Sequence, residues 1–559
     1  MISFWSHVAK LLVRRPRPAL RAAFWYLTRR KVRARNILRD GTRGLGLAYS
    51  VWRKIHEGKE GASATSRTGE APTCFTVIIH GPDLSTRAQN KWQRSTRSVA
   101  RQAHSSEVLQ TVSGSNLMEL IGQAEGDFIF FLRAGDELAD SALARMQQAL
   151  GRTPAVMAYG DEDHLRRGKR DREPWFKPAW NSELFLALDY LSAAVAISRH
   201  LAWEVAAELR YSSLCTLDAL LLRATERAAG SILHVPSILV HVGKQEEPPG
   251  ARLAAVAGFL DGRAICLSGP FGTVRVQWPL PDPRPLISII IPTRDKVELL
   301  TACVDGLLMR TDYRPFEILI VDNGSRDRDA LEYLEGLSAQ SDVRILHCDA
   351  EYNFSALNNL AVREANGSFV LLLNNDTEVI EPEWLDEMMR YASRDDVGAV
   401  GAKLLYSDGS VQHAGVVVGM GEAAGHAHRY LAAGEPGYFR QPQAAQFVTA
   451  VTAACLLVDR RKYEAVGGLD AQNFAIAYND VDFCLKLERA GWRNVYTPHA
   501  GLYHHESKSR GSDFSPQHRE RYMRELAVLQ ERWGTKTFVD PLHSVHLDRY
   551  SEAYIPDFR

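Results

Sequence analysis

The sequence predicts an α/β protein built as two related domains in tandem, each a mainly parallel sheet with helices on both faces. Three observations carry that expectation. Short, β-branched apolar runs alternate with helix-period segments in two large regions; 287–291, 317–321, 343–346 and 369–373 are examples. Such runs suit strands buried on both faces. The two regions also resemble each other: Ala124-Glu-Gly-Asp-Phe-Ile-Phe-Phe-Leu132 aligns with Ala365-Asn-Gly-Ser-Phe-Val-Leu-Leu-Leu373. Likewise 75–79 lies where 287–291 does, and 192–199 mirrors 453–460, so one domain has been duplicated. Finally, 559 residues with 45% hydrophobic content match two or three domains with sizeable cores.

The elements follow in chain order. Residues 1–56 form a basic N-terminal segment. Within 1–55, fourteen Lys/Arg face one acidic residue, Asp40, a net of +13 that an acidic remainder of −13 cancels. Pro16 and Pro18 limit it to two short helices. Arginines interleaved with Phe4, Trp5, Phe24 and Trp25 suit an anionic membrane surface; a solvated tail and a nucleic-acid arm are the competing readings. The rings favour the membrane, and no nucleic-acid partner is expected. No stretch approaches 18 uninterrupted apolar residues, and no cleavage site marks a secretory signal. Seven scattered cysteines without a C-x-x-C pair exclude a cysteine zinc site and fit a reducing compartment.

Residues 57–73 read as a Gly/Ser/Thr-rich linker. The first α/β domain spans 74–242. A connecting segment, 243–285, holds a helix at 251–260 and a strand at 273–278 between two proline-rich breaks. The second α/β domain spans 286–511, and 512–559 is a C-terminal helix and tail, the helix opening at Ser515-Pro516 and running to Trp533.

In mainly parallel sheets ligands sit beyond the carboxyl ends of the strands. There the second domain places Pro292-Thr293-Arg294-Asp295, Asp322-Asn323-Gly324-Ser325 and Asn374-Asn375-Asp376, followed by Tyr478-Asn479-Asp480-Val481-Asp482 and Tyr503-His504-His505-Glu506-Ser507. One Asp after a strand is more often a cap or turn residue. Five such groups in this order exceed what capping needs.

Residues 286–511 resemble family 2 glycosyltransferases of the GT-A fold, of the rhamnosyltransferase-like type that builds O-antigen polysaccharide. The text that carries the resemblance is PLISIIIPTRD, ILIVDNGSRD, NFSALNN, VLLLNNDTEV, VQHAGVVVG, VTAACLLVDRRKYEAVGGLD, AIAYNDVDFCLKL and NVYTPHAGLYHHESKSRG. The GT-A fold is Rossmann-like, so the resemblance implies two such domains. It also implies an inverting transferase that moves a sugar from a nucleotide-diphosphate donor to a glycan acceptor, lipid-linked, at the cytoplasmic face of a bacterial inner membrane.

The resemblance assigns roles. Asn374-Asn375-Asp376 stands at the D-x-D position, Asn replacing the first Asp. Asp376 would bind Mg2+ or Mn2+, hard ions that prefer carboxylate and phosphate oxygen, with His504 or His505 as a further ligand. Asp322 would accept from a nucleobase imide, Pro292 and Thr293 lining the same pocket, which suits UDP or dTDP, including dTDP-rhamnose. Asp480 would be the general base; Asp482, two residues on, points to another helix face and reads as structural. Gly467-Gly468 would let backbone amides approach acceptor or phosphate, and His413, His426 and His428 would face the acceptor. In the first copy the catalytic positions are eroded: Arg133-Ala134-Gly135 stands at the D-x-D position with Asp136 one place late, and Asp218 matches either Asp480 or Asp482. That copy reads as catalytically silent. A bifunctional enzyme and a non-catalytic carbohydrate-binding or assembly protein are the alternatives.

Overall fold

The protein is described from a computed structural model over residues 2–28, 34, 37, 38, 41, 47–60, 73–81, 86–104, 109–114, 116–165, 172–209, 216–228, 230–243, 250–432, 434–505 and 516–557. Most of the expected linker, the acidic half of the first proline-rich break, Glu506, Ser507 and the Ser515 cap lie outside them. Two compact units emerge. One comprises Met1–Asn181, Leu188–Gly262 and His543–Arg559; the other comprises Ser182–Ala187 and Arg263–Leu542.

In the first unit the strands are β1 (Phe75–His80), β2 (Leu109–Gly114), β3 (Phe128–Arg133), β4 (Glu137–Leu138), β5 (Met157–Leu165), β6 (Arg172–Trp175), β7 (Val195–Ser198) and β8 (Ile232–Val242). Their order is β2-β1-β3-β7-β5-β8-β4, with β6 on β5. β2, β1 and β3 run parallel, β7 is antiparallel to both β3 and β5, β5 and β8 are parallel, and β4 is antiparallel to β8.

The second unit opens with a hairpin, β9 (Ile265–Ser268) and β10 (Val274–Gln277). Its sheet uses β11 (Ile287–Thr293), β12 (Phe316–Asp322), β13 (Val343–His347), β14 (Phe369–Leu373), β15 (Thr377–Val379), β16 (Val397–Leu405) and β17 (Val411–His413). A separate hairpin pairs β18 (Val416–Val418) with β19 (Ala424–His426), after which β20 (Gln446–Val448), β21 (Cys455–Asp459) and β22 (Arg493–His504) return to the sheet. The order is β13-β12-β11-β14-β21-β16-β22-β15. Apart from the extra edge strand β13 and the short β20 paired with β22, order and directions repeat those of the first unit among the described residues. The duplication legible in sequence is thus a duplication of topology.

Both faces of the second sheet are covered, because consecutive apolar residues point to opposite sides. Ile287, Ile289 and Ile291 join one core with Leu300, Leu307, Trp384 and Met388. Ile290 joins the other with Leu357, Ala361, Leu372, Phe483 and Leu529. That second core is closed by the helix Pro516–Trp533. Asp482, fully buried on the helix Asn479–Arg489, accepts from Arg532 Nη1 at 2.8 Å and Trp533 Nε1 at 2.9 Å.

Three sequence-based boundaries shift for physical reasons. The helix Ser182–Ala187 belongs to the second unit, where Glu183 meets Arg394 at 2.7 Å. The connecting segment divides between units: the helix Ala251–Leu260 stays with the first and β9–β10 with the second. The chain end is no separate tail, since His546 Nε2 lies 2.6 Å from Pro236 O in the first unit.

The N-terminal segment also holds more helix than its prolines suggest. Ile2–Arg14 and Pro16–Leu27 are joined by a third helix, Leu47–Glu60, that runs into the expected linker. That helix is anchored: Tyr49 Oη donates to Asp163 Oδ2 at 2.7 Å, and the buried Trp52 ring packs on Phe176 and His546. The basic head is therefore partly body.

Glu488, on the helix Asn479–Arg489, is pushed up to about 8 by burial, with the Asp540 carboxylate adding to it. Between the ordinary carboxylate range and pH 8, the unfolded chain releases a proton that the folded chain retains. This group's contribution to stability therefore falls as pH rises through that window. Glu488→Gln is expected to equal the parent near pH 4 and to exceed it by about 2 kcal/mol at pH 8, after discounting for partial exposure. Urea midpoints across pH 4–8 measure this; a constant difference would sink it.

Candidate active site

Strand pairing assembles the site. β22 runs beside both β16 and β15, and the β15 register sets Thr377 opposite His504. His504 Nε2 thereby comes within 3.1 Å of Asp376 Oδ1, although 128 residues separate them. Asn374 Nδ2 lies 3.2 Å from the same nitrogen, and on the far side of the ring Gln412 Oε1 lies 2.7 Å from Nδ1. The amide oxygen accepts from Nδ1, which turns Nε2 toward Asn374 and Asp376. Imidazole Nε2 and a carboxylate oxygen thus face one another, with the second ring nitrogen held as metal-bound histidines are. Among the described residues no three His, Cys, Asp or Glu side chains converge on one cation position. Remaining donors would be ligand oxygens and water.

His505 points elsewhere, as strand alternation requires. Its Nδ1 meets Ser407 Oγ at 2.8 Å and its Nε2 lies 3.5 Å from Glu378 Oε2, while its backbone N–H donates to Asp376 O at 2.9 Å. Of the two histidines, His504 is the one brought to the Asp376 carboxylate.

Asp480 occupies the first turn of its helix. Ala453 N–H donates to its Oδ2 at 3.1 Å and Val481 N–H to its Oδ1 at 2.8 Å. Burial raises its pKa above the usual carboxylate range, opposed by those hydrogen bonds. The neighbouring Ala454 O accepts from Asn374 N–H at 3.0 Å, so one short segment ties Asp480 to the strand end bearing Asn374 and Asp376.

On the other side of Asn374 lie the ends of β11 and β12. Asn375 Nδ2 donates to Thr293 Oγ1 at 2.9 Å, and Asn323 N–H to Thr293 O at 2.9 Å; Pro292 is buried within β11. Asp322 is buried, its Oδ1 accepting from the Ser325 amide at 3.0 Å and hydroxyl at 2.5 Å. Its Oδ2 lies 3.3 Å from Nδ1 of the exposed His347. Gly468 is placed differently from the ligand loop implied for it. Its N–H donates to Tyr463 O and that of Gly467 to Glu464 O, both at 2.9 Å, closing the helix Arg460–Ala465. With φ of 63°, a Cβ at Gly468 would meet Asn359 Oδ1 at 2.7 Å, so packing requires this glycine.

His413 is fully buried, its Nδ1 3.0 Å from His426 Nδ1. Burial, then the neighbouring imidazoles, hold it well below the ordinary histidine range, so it is neutral. Sequence reasoning singled out His413 and passed over its neighbour Gln412, which holds His504. Period-two alternation along β17 separates these two, and that was the available signal. His347 was also missed, although it ends β13 opposite Asp322.

Register gives the first unit's equivalents without a gap. Leu138 faces Val240 as Val379 faces Leu502, and Glu162 faces Val240 as Leu404 faces Leu502. Counting along the strands, Gly135 stands for Asp376, Arg133 for Asn374 and Val242 for His504. Neither oxygen nor imidazole ligand survives. Asp136 Oδ1 instead accepts from Gly243 N–H at 2.8 Å. Asp218, second in its helix as Asp480 is in its own, lies 3.4 Å from Arg252. The acidic run Asp161-Glu162-Asp163 is buried and paired. Asp161 meets His234 at 2.8 Å, Glu162 meets Lys177 at 2.5 Å, and Asp163 meets Arg172 at 2.7 Å and His241 at 2.9 Å. Burial raises Glu162, yet Lys177 and His164 together hold it below its ordinary value.

Residues 288–455 match the family model described as Glycosyl transferase family 2, a stretch that ends before Asp480 and His504. An uncharacterised protein, y4gI, of Sinorhizobium fredii is 39% identical over 445 residues, covering 76% of this chain and 49% of the relative. The O-antigen biosynthesis protein RfbC of Myxococcus xanthus is 35% identical over 438 residues, covering 76% of this chain and 34% of the relative. An N-acetylglucosaminyl-diphospho-decaprenol L-rhamnosyltransferase of Mycobacterium tuberculosis is 27% identical over 223 residues, 36% of this chain and 70% of the relative. The chain spans half or less of the length of the first two. The stretch that matches Glycosyl transferase family 2, residues 288–455, is the one whose sheet carries Thr293, Asp322, Asn374 and Asp376 at its strand ends.

Proposed function

We propose that the second unit transfers a sugar from a nucleotide-diphosphate donor to a glycan acceptor in surface polysaccharide synthesis, with inversion. The observation that carries this is the convergence of Asp376 and a Gln412-oriented His504 beside Asn374, with Asp480 fixed to the same strand end through Ala453 and Ala454. Asp376 and His504 are the residues that would hold Mg2+ or Mn2+. Such an ion supplies charge neutralisation to a leaving diphosphate.

Asp480 accepts the proton of the acceptor hydroxyl as that oxygen forms its bond to the anomeric carbon. The bond from that carbon to the diphosphate breaks in the same displacement, its electron pair leaving with the diphosphate. A carboxylate raised by burial suits the task, since a base works best near the operating pH. The Oδ2 side of Asp322, at the far end of the site, suits a base imide N–H, which favours a UDP- or dTDP-sugar such as dTDP-rhamnose. The names of the Myxococcus and Mycobacterium relatives support a polysaccharide pathway and a lipid-diphosphate acceptor. The register substitutions of the first unit favour one live site over two.

The N-terminal helices support attachment to an anionic membrane surface on the cytoplasmic side. Ile2–Arg14 and Pro16–Leu27 close on each other through Val8, Leu11, Ala19 and Ala22, yet leave Trp5, Val13, Leu20, Phe24 and Leu27 exposed beside Arg14, Arg15, Arg17 and Arg21. Exposed apolar side chains ringed by arginine suit a helix pair lying in a headgroup layer. No helix among the described residues is long and apolar enough to cross a membrane.

Asp480→Asn is expected to lower transfer by at least about 10^3-fold while UDP or dTDP affinity, measured calorimetrically, stays within twofold; undiminished turnover would remove Asp480 as base. Asp376→Ala is expected to weaken Mn2+ binding by about 10–100-fold, read from the spin-resonance signal of free Mn2+ with nucleotide present. Retained affinity would displace the metal assignment. Deleting residues 1–28, which spares the anchored helix Leu47–Glu60, is expected to abolish co-sedimentation with phosphatidylglycerol vesicles. Binding that survives the deletion refutes the membrane role.

A further inference from the structure

At the end of β16, the strand next to the one that carries His504, stands an aromatic pair that the chemistry above leaves unused. The Tyr406 and Tyr430 rings stack at 5.3 Å with only 8° between their planes. The Arg429 guanidinium lies 5.7 Å from one ring centroid and 5.0 Å from the other, and its Nε donates to Tyr406 Oη at 2.7 Å. Tyr430 is 58% exposed.

His428 and Tyr430 both adopt left-handed φ, 58° and 62°, a conformation costly for bulky side chains. The turn is pinned in place: Tyr430 N–H donates to Val411 O at 2.7 Å and Val411 N–H to Leu431 O at 2.9 Å. Val411 adjoins Gln412, which orients His504, and Tyr406 adjoins Ser407, which meets His505. The strained turn thus holds an exposed ring at the sheet end that carries Asp376 and His504.

Position separates it from the donor. Thr293, Asp322 and Asn374 end β11, β12 or follow β14, whereas Tyr406 follows β16 and the turn pairs with β17, beyond β21 in the sheet order. With a base held at Asp322, the Tyr406 side of β21 is the reacting end of the site, which the acceptor must reach.

We propose that Tyr406, Tyr430 and Arg429 form the docking platform for a pyranose ring of the acceptor glycan. A pyranose presents a face of C–H groups, which packs on an aromatic plane, and a rim of hydroxyls, which the guanidinium donors reach. This rests on the glycosyl-transfer reading, and it adds the residues that receive the acceptor.

The test uses the full chain and methyl pyranosides of glucose, galactose, N-acetylglucosamine and rhamnose as probes, read by saturation-transfer NMR. At least one is expected to show ring-proton contacts that fall more than tenfold in Tyr430→Ala and persist in Tyr430→Phe. UDP and dTDP affinities measured with Mn2+ are expected to stay within twofold in both variants. Absence of pyranoside contacts in the parent, or equal contacts in Tyr430→Ala, overturns the platform. So does a loss of nucleotide affinity in Tyr430→Ala, which would move the tyrosine to the donor side. A parent that contacts pyranosides through Tyr430 but binds no nucleotide keeps the platform and sinks the transfer reading instead.

Discussion

The whole site depends on where β22 lies. Inserted between β16 and β15, that strand carries a residue from late in the chain to the strand end formed by Asn374 and Asp376. Backbone pairing therefore sets the distance between Asp376 and His504, and side-chain rotamers only refine it. Because side chains alternate along a strand, a slip of one residue would turn His504 away from Asp376. The core residues Val495, Ala500 and Leu502 of β22 and Val400, Ala402 and Leu404 of β16 make such a slip costly, so the hydrophobic core holds Asp376 and His504 in register.

Much of this was legible in the residues. The run 369–373 became β14 with the same limits, 287–291 and 317–321 became β11 and β12 with a residue or two added, and 251–260 became a helix with the same ends. Apolar strands announce themselves because burial on two faces leaves no room for polar residues. The identity of the site residues came through a resemblance, and what each touches did not. Gln412 could not be chosen over His413 without knowing which face of β17 meets His504. Gly468 resembled a ligand loop because glycine marks any close backbone approach, whether a phosphate or the Tyr463 ring makes it. The anchoring of Tyr49 and Trp52 was hidden for another reason: their partners, Asp163, Phe176 and His546, are distant in sequence and follow no local period.

The two units solve the same folding problem with different use of polar residues. In the second, Asp480 is held by backbone N–H groups, and Asp376 stands beside the His504 imidazole. In the first, the buried carboxylates are answered by cations and imidazoles from β6, β8 and neighbouring segments, so their charge is spent inside the fold. Carboxylates neutralised in this way knit strands together and have little left for a ligand.

That difference sets a distance between the two units. To match the arrangement around Asp376 the first unit would need a carboxylate at Gly135, an imidazole at Val242, the replacement of Arg133 and the release of Asp218 from Arg252. One strand order thus carries two arrangements of charge that no single substitution interconverts.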